Sequence, residues 1–271
     1  MQKIYFLILI LPNYLFAQND SISFFSVENN FTNKLNYSGR MVSPTQWATT
    51  TALKYTTTKG FDYSLSEFYW SKAKNKLAET DLGLTYNHDW NDVFSGSVGY
   101  EHWFMRKGNG ENINSLNNNF NAGLNADFDW INFASSTMYL FGKQKALLEN
   151  IEISHDFFVD EFWKIDSMEI SPTVSLDWGT TDADLRHNPA LNPEAVNQPA
   201  IGRRGNTKSP IKFMIMSYDF YLPISFYIKH FEIEPALHYD LPFNASVGET
   251  LHDFFYFTLS VNYKLPIKHR F

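Results

Sequence analysis

Four side chains able to bind a cation fall within one short run: Glu232, Glu234, His238 and Asp240, all even-numbered. On an extended strand, residues of equal parity share a face, so the four point the same way. Imidazole and carboxylate together suit Zn, Mn or Ca. Successive same-face residues stand about 7 Å apart along a strand, however, so one strand seldom gives one ion more than two ligands. The run therefore reads as part of an acidic lining, and neither a metal site nor a cofactor is expected. Other carboxylates keep the same alternation with apolar neighbours: Glu79, Asp81, Glu101, Asp127, Glu152, Asp156, Glu169 and Asp177. Basic residues on the equivalent faces are few, namely Arg40, Lys54 and Lys264. Nucleophiles are poorly served. Ser95 and Ser97 have no base placed beside them, and the chain has no cysteine, which removes thiolate chemistry, disulfides and lipidation of an exported N-terminus.

The elements that position these carboxylates follow from period-two alternation over about ten residues at a time. In Glu79 to Trp90, Leu82, Leu84 and Tyr86 oppose Asp81, Gly83, Thr85 and Asn87; in Phe94 to Phe104, Phe94, Val98, Tyr100 and Phe104 oppose Ser95, Ser97, Gly99 and Glu101. Asp89-Trp90-Asn91-Asp92 between them is a tight-turn composition, so the pair predicts a β-hairpin. The unit recurs over Asn119 to Phe128, Ile131 to Phe141, Ile151 to Asp156, Met168 to Asp177, Phe231 to Asp240 and Phe255 to Tyr263, with less regular versions over Lys34 to Val42, Trp47 to Thr57, Phe61 to Ser71 and Phe213 to Phe226. About twelve strands result, joined by connections that alternate between short and long. The short ones sit near Thr58 to Gly60, Asp89 to Asp92, Asp129 to Trp130, Val159 to Ile165 and Lys229 to His230. The long ones sit near Lys72 to Lys76, Arg106 to Ser115, Thr180 to Lys208 and Asn244 to Asp253. The longest carries Asp182, Asp184, Arg186, His187, Glu194, Arg203 and Arg204 among three prolines and reads as a solvated surface loop.

Composition says what kind of sheet this is. Aromatics make up 17% of the 271 residues, with 25 Phe and 15 Tyr, yet mean hydropathy is −0.31. A transmembrane barrel combines the two, because lipid-facing apolar residues alternate with polar ones facing the lumen and aromatic girdles mark both interfaces. A secreted β-sandwich also alternates, but its strands run to about six residues, whereas crossing a bilayer at a tilt takes about ten. No segment has the 18 apolar residues in a row that a membrane helix needs, and the net charge of −7 is spread without a basic stripe for nucleic acid. At the start, Lys3 precedes the apolar run Ile4 to Leu11 and Ala17 precedes polar sequence, the layout of a signal peptide cleaved after Ala17. The expected organisation is thus 1–17 signal peptide, 18–32 an N-terminal periplasmic segment, and 33–271 a closed antiparallel transmembrane β-barrel of about 12 strands.

At the other end Phe271 is preceded at alternate positions by His269, Ile267, Leu265 and Tyr263, which resembles the terminal-strand signal of outer-membrane β-barrel proteins. The resemblance implies insertion by the barrel assembly machinery and contact with outer-membrane lipid. The short Lys3-led leader ending Phe16-Ala17-Gln18 and hairpins such as Thr57-Thr58-Lys59-Gly60-Phe61-Asp62 are similar to small outer-membrane proteins of the Bacteroidota. Outer-membrane phospholipases carry a His and a Ser two apart on one strand. Here the residues two after each histidine are Trp90, Phe104, Phe157, Pro189, Glu232, Asp240, Phe254 and Phe271, so no enzyme is expected. The reading is a small-solute channel or passive transporter with an acidic lumen, whose focused field favours cations. The alternative is a structural or partner-binding barrel without transport, and a lipid-acting membrane enzyme ranks third.

Overall fold

The computed structural model describes residues 22–37, 40–71, 77–105, 116–142, 145–160, 165–180, 213–244 and 251–267. The expected signal peptide, Phe271 and most of the long loops lie outside these residues. Sixteen strands are formed: β1 (Ser23–Thr32), β2 (Leu35–Tyr37), β3 (Arg40–Ser43), β4 (Ala48–Thr56), β5 (Phe61–Trp70), β6 (Leu77–Asp89), β7 (Phe94–Met105), β8 (Leu116–Asp127), β9 (Asn132–Gly142), β10 (Lys145–Ser154), β11 (Phe157–Asp160), β12 (Ser167–Ile170), β13 (Thr173–Thr180), β14 (Phe213–Ile228), β15 (Phe231–Pro242) and β16 (Phe254–Ile267). β2 and β3 pair only with each other. The others form one 14-stranded antiparallel sheet in which β14 also pairs with β15. With β11 and β12 set aside as a branch on β14, the remaining twelve close on themselves in the order β1, β4 to β10, β13 to β16 and back to β1.

Closure falls to an element the sequence placed elsewhere. Ser23–Thr32 was expected in a segment ahead of the barrel; it is β1, hydrogen-bonded to β4 on one side and to β16 on the other. Its alternation is blurred by Asn29 on the outward face and Phe24 on the inward one, which hides a strand from a pattern of apolar residues. Lys34 to Val42, expected as the first strand, is instead the β2–β3 hairpin between β1 and β4, with Tyr37 opposite Arg40. Arg40 therefore leaves the barrel wall, and the expected barrel start at residue 33 moves back to Ser23. Ser38-Gly39, a turn signal in the middle of that run, was the clue.

Elsewhere alternation and register agree. β6 and β7 pair from Glu79↔Met105 to Asp89↔Ser95, and the Asn91 side chain caps their turn by accepting from the amides of Val93 at 2.9 Å and Phe94 at 2.8 Å. β10 and β13 continue into β11 and β12 beyond breaks at His155-Asp156 and Ser171-Pro172; proline cannot donate to the ladder, so the break is local to it. Short turns gather at one end of the barrel with the start of β1 and the end of β16. One connection at the opposite end departs from the expected alternation, since β9 gives way to β10 within Gly142 to Lys145.

The two faces differ as the pattern requires. Leu53, Leu65, Leu82, Leu84, Val98, Phe120, Leu124, Phe220 and Leu237 are exposed on the outside. Rings cluster toward both ends of that face: Phe31, Trp47 and Tyr69 at the long-loop end, with centroids 6.0 and 5.5 Å apart, and Phe94–Phe128 and Phe231–Tyr263 at the short-turn end, 5.9 and 4.8 Å apart. Inside, the long-loop end is apolar. Leu116, Leu140, Ala146, Leu148 and Met216 form one buried cluster, with Trp103 and Met138 against it. A second joins Leu35 of the β2–β3 hairpin to Ala48, Trp70 and Ala78. The hairpin is thereby tucked against the mouth, and Asn33 holds its approach by bonding the backbone of Phe257 at 2.8 Å.

Candidate functional site

The inward polar face between the apolar mouth and the short turns is where the sequence carboxylates meet. On the wall made by β6, β7 and β8, Glu79 and Asp81 are neighbours of equal parity and both feel the charge of Glu101. Glu101 Oε2 accepts from Asn119 Nδ2 at 3.2 Å and from the Trp103 indole at 3.4 Å. Glycine makes this crowding possible: a Cβ on Gly83 would come within 2.3 Å of Ser64 Oγ and 3.3 Å of Glu101 Cγ. Asp81 Oδ1 and Asn119 Oδ1 are buried without a hydrogen-bond partner.

Across β10, β12, β13, β14, β15 and β16 lies a second set. Asp177 accepts from Asn150 Nδ2 at 3.0 Å and Ser217 Oγ at 2.9 Å. Glu152 accepts from the Tyr221 hydroxyl at 3.1 Å, Glu169 from Tyr227 at 3.0 Å, and Glu234 from Ser225 at 2.7 Å. Asp240 is 1% exposed. Among the described residues lysines meet carboxylates at two places: Lys264 Nζ lies 2.9 Å from Glu232 Oε2 and Lys54 Nζ 3.4 Å from Glu28 Oε1. The run Glu232, Glu234, His238 and Asp240 is thus divided, with Glu232 on Lys264, Glu234 on Ser225, and His238 on Asp219 and Thr258.

Two residues expected in the lining sit at its rim. Asp127 ends β8 and accepts from the amide of Asp129 at 2.9 Å, closing the short turn. Asp156 lies in the break between β10 and β11 and accepts from Asn132. Turn residues at strand ends continue the parity of the strand, so alternation alone does not separate them from the wall. In exchange, three inward carboxylates escaped the sequence reading. Glu28 belongs to the unrecognised β1. Asp62 accepts from Asn87 Nδ2 at 3.0 Å and keeps the parity of Ser64 and Ser66. Asp219 lies in β14, where Pro223 and a register shift opposite Asp177/Trp178 disturb the pattern.

No protein-family model and no curated protein matches the chain. Among solved structures it is similar to the NanC porin, at 9% identity over 89% of this chain and 100% of that one, TM-score 0.49. It is also similar to the KdgM porin, at 11% over 89% and 98%, TM-score 0.48. LpxR from Salmonella typhimurium aligns at 9% over 88% and 99%, TM-score 0.47.

Proposed function

We propose that the chain spans the bacterial outer membrane, after export and removal of residues 1–17, and passes small solutes through an interior that favours cations. One observation carries the reading. The inward face of a closed twelve-strand wall holds Glu28, Asp62, Glu79, Asp81, Glu101, Glu152, Asp177, Asp219, Glu232, Glu234 and Asp240, while its lysines Lys54 and Lys264 are each engaged by a carboxylate. Within a low-dielectric wall such an excess concentrates counter-ions and repels anions. The outward face supports the membrane placement, because exposed leucines between two aromatic zones suit hydrocarbon bounded by headgroups. Acyl contacts on that face and delivery by the barrel assembly machinery belong to the same proposal, as does kinship with Bacteroidota outer-membrane proteins.

The test is the reversal potential of the purified protein in planar bilayers under a salt gradient. Cation preference is expected, stronger at low salt where the Debye length grows to about 30 Å at 0.01 M. Replacing Glu232, Glu234 and Asp240 by Gln, Gln and Asn is expected to reduce it. Absence of any conductance by folded protein would defeat this reading. That outcome would favour a partner-binding barrel, the second reading, for which the apolar clusters across the long-loop mouth speak.

A further inference from the structure

Three rings stand in cross-strand register on the inward face: Tyr221 of β14 opposite His238 of β15, and His238 opposite Tyr256 of β16. They stack nearly parallel, with Tyr221–His238 centroids 4.9 Å apart at 14° and His238–Tyr256 4.2 Å apart at 15°. Asp219 Oδ2 lies 2.8 Å from His238 Nδ1 and 3.1 Å from the Tyr256 hydroxyl. The Thr258 hydroxyl lies 3.1 Å from Nε2 on the other side of the ring, so His238 is held from both of its nitrogens.

Beside this stack the interior holds a cavity of about 340 Å³, lined by Asn30, Thr50, Glu234, His238, Thr258 and Ser260 among others. Two hydroxyls around it are already committed, since Ser225 gives its proton to Glu234 and Tyr221, which also lines the cavity, gives its proton to Glu152. No cation pairs with Glu234 among the described residues, because Lys264 goes to Glu232 and Lys54 to Glu28. Glu234 is thus the one carboxylate of the described lining, set among neutral hydroxyls and the Asn30 amide without a counter-charge, which selects an occupant that brings a positive charge.

We propose that this cavity is a binding site for a small organic ammonium. Its N–H groups bond Glu234, and its hydroxyls meet Asn30, Thr50, Thr258 and Ser260. The volume is near the lower end of small-molecule sites, about 300 to 1,000 Å³, which fits a solute of monosaccharide size. The inference deepens the proposed channel by naming a solute class, but binding is measured without current, so a non-conducting barrel and an empty cavity are separate results.

The test is a saturation-transfer NMR titration of the folded full chain in detergent, with glucosamine as probe and N-acetylglucosamine as its uncharged relative. Glucosamine is expected to bind saturably and N-acetylglucosamine about tenfold more weakly or less, since a charge-assisted hydrogen bond is lost. Glu234→Gln should weaken glucosamine by a similar factor while keeping heat-modifiable migration on gels. Equal binding of the two sugars, or undiminished binding by Glu234→Gln, overturns the assignment. The two-sugar comparison on the unmodified chain decides the matter if that variant does not assemble.

Discussion

A charge on the outward face and the same charge on the inward face should have opposite fates. Leu84 is 44% exposed and Leu124 58% exposed on the outside, and Arg near the midplane of a membrane barrel costs about 2 to 4 kcal/mol when it faces lipid. Leu84→Arg and Leu124→Arg are expected to abolish heat-modifiable migration, while Thr85→Arg and Asn125→Arg, one residue further along, leave it intact. The reverse ranking would mean that the faces are inverted. At this scale the sequence was legible wherever parity was clean. Glu79, Asp81, Glu101, Glu152, Asp177, Glu232, Glu234, His238 and Asp240 all fall within strands of the sheet, and their role as the lining of a lumen belongs to the proposed function. What parity leaves out is partnership. That Asp219 bonds His238, or that Lys264 is spent on Glu232, depends on residues from neighbouring strands, and no single-strand pattern contains it.

Strands and turns carry a different kind of information. Gly60, in the turn from β4 to β5, has φ +82, and a Cβ there would lie 2.3 Å from the carbonyl oxygen of Asn87. Backbone cannot step aside as a side chain can, so Gly60→Ala is expected to cost about 1 to 3 kcal/mol and to lower the urea midpoint of refolded protein. This turn was visible in the sequence because Lys59-Gly60 stands between two alternating runs. β1 was not visible, because Asn29 and Phe24 each fall on the wrong face for a simple reading, and only its pairing with β4 and β16 identifies it. Removing residues 23–32 should therefore leave a sheet with two open edges and abolish the folded band on gels. The view of this stretch as a dispensable leader predicts a normal barrel instead.

For the molecule as a whole, the number of walls was readable and the contents were only half so. About twelve strands were expected and twelve close, since each strand announces itself locally. The apolar mouth was not anticipated: Leu116, Leu140, Leu148 and Met216 sit at strand ends, where a few inward-facing leucines break the alternation instead of extending it. Trimming this cluster, as Leu140→Ala with Met216→Ala, is expected to raise single-channel conductance if the mouth limits flow, a change read directly in bilayer recordings. The pairing of β1 with β16, Phe25 opposite Leu265, has a consequence in time. The strand synthesised first and the strand synthesised last are neighbours, so no portion emerging from the ribosome can complete the ring early. Every other seam can form between strands close in sequence, but this one waits for the whole chain, and contacts so distant in sequence form slowly. Until then both edge strands present unpaired backbone groups that invite association with other chains. The interval between the arrival of Ser23 and that of Ile267 is when the protein most depends on being held apart from its own copies.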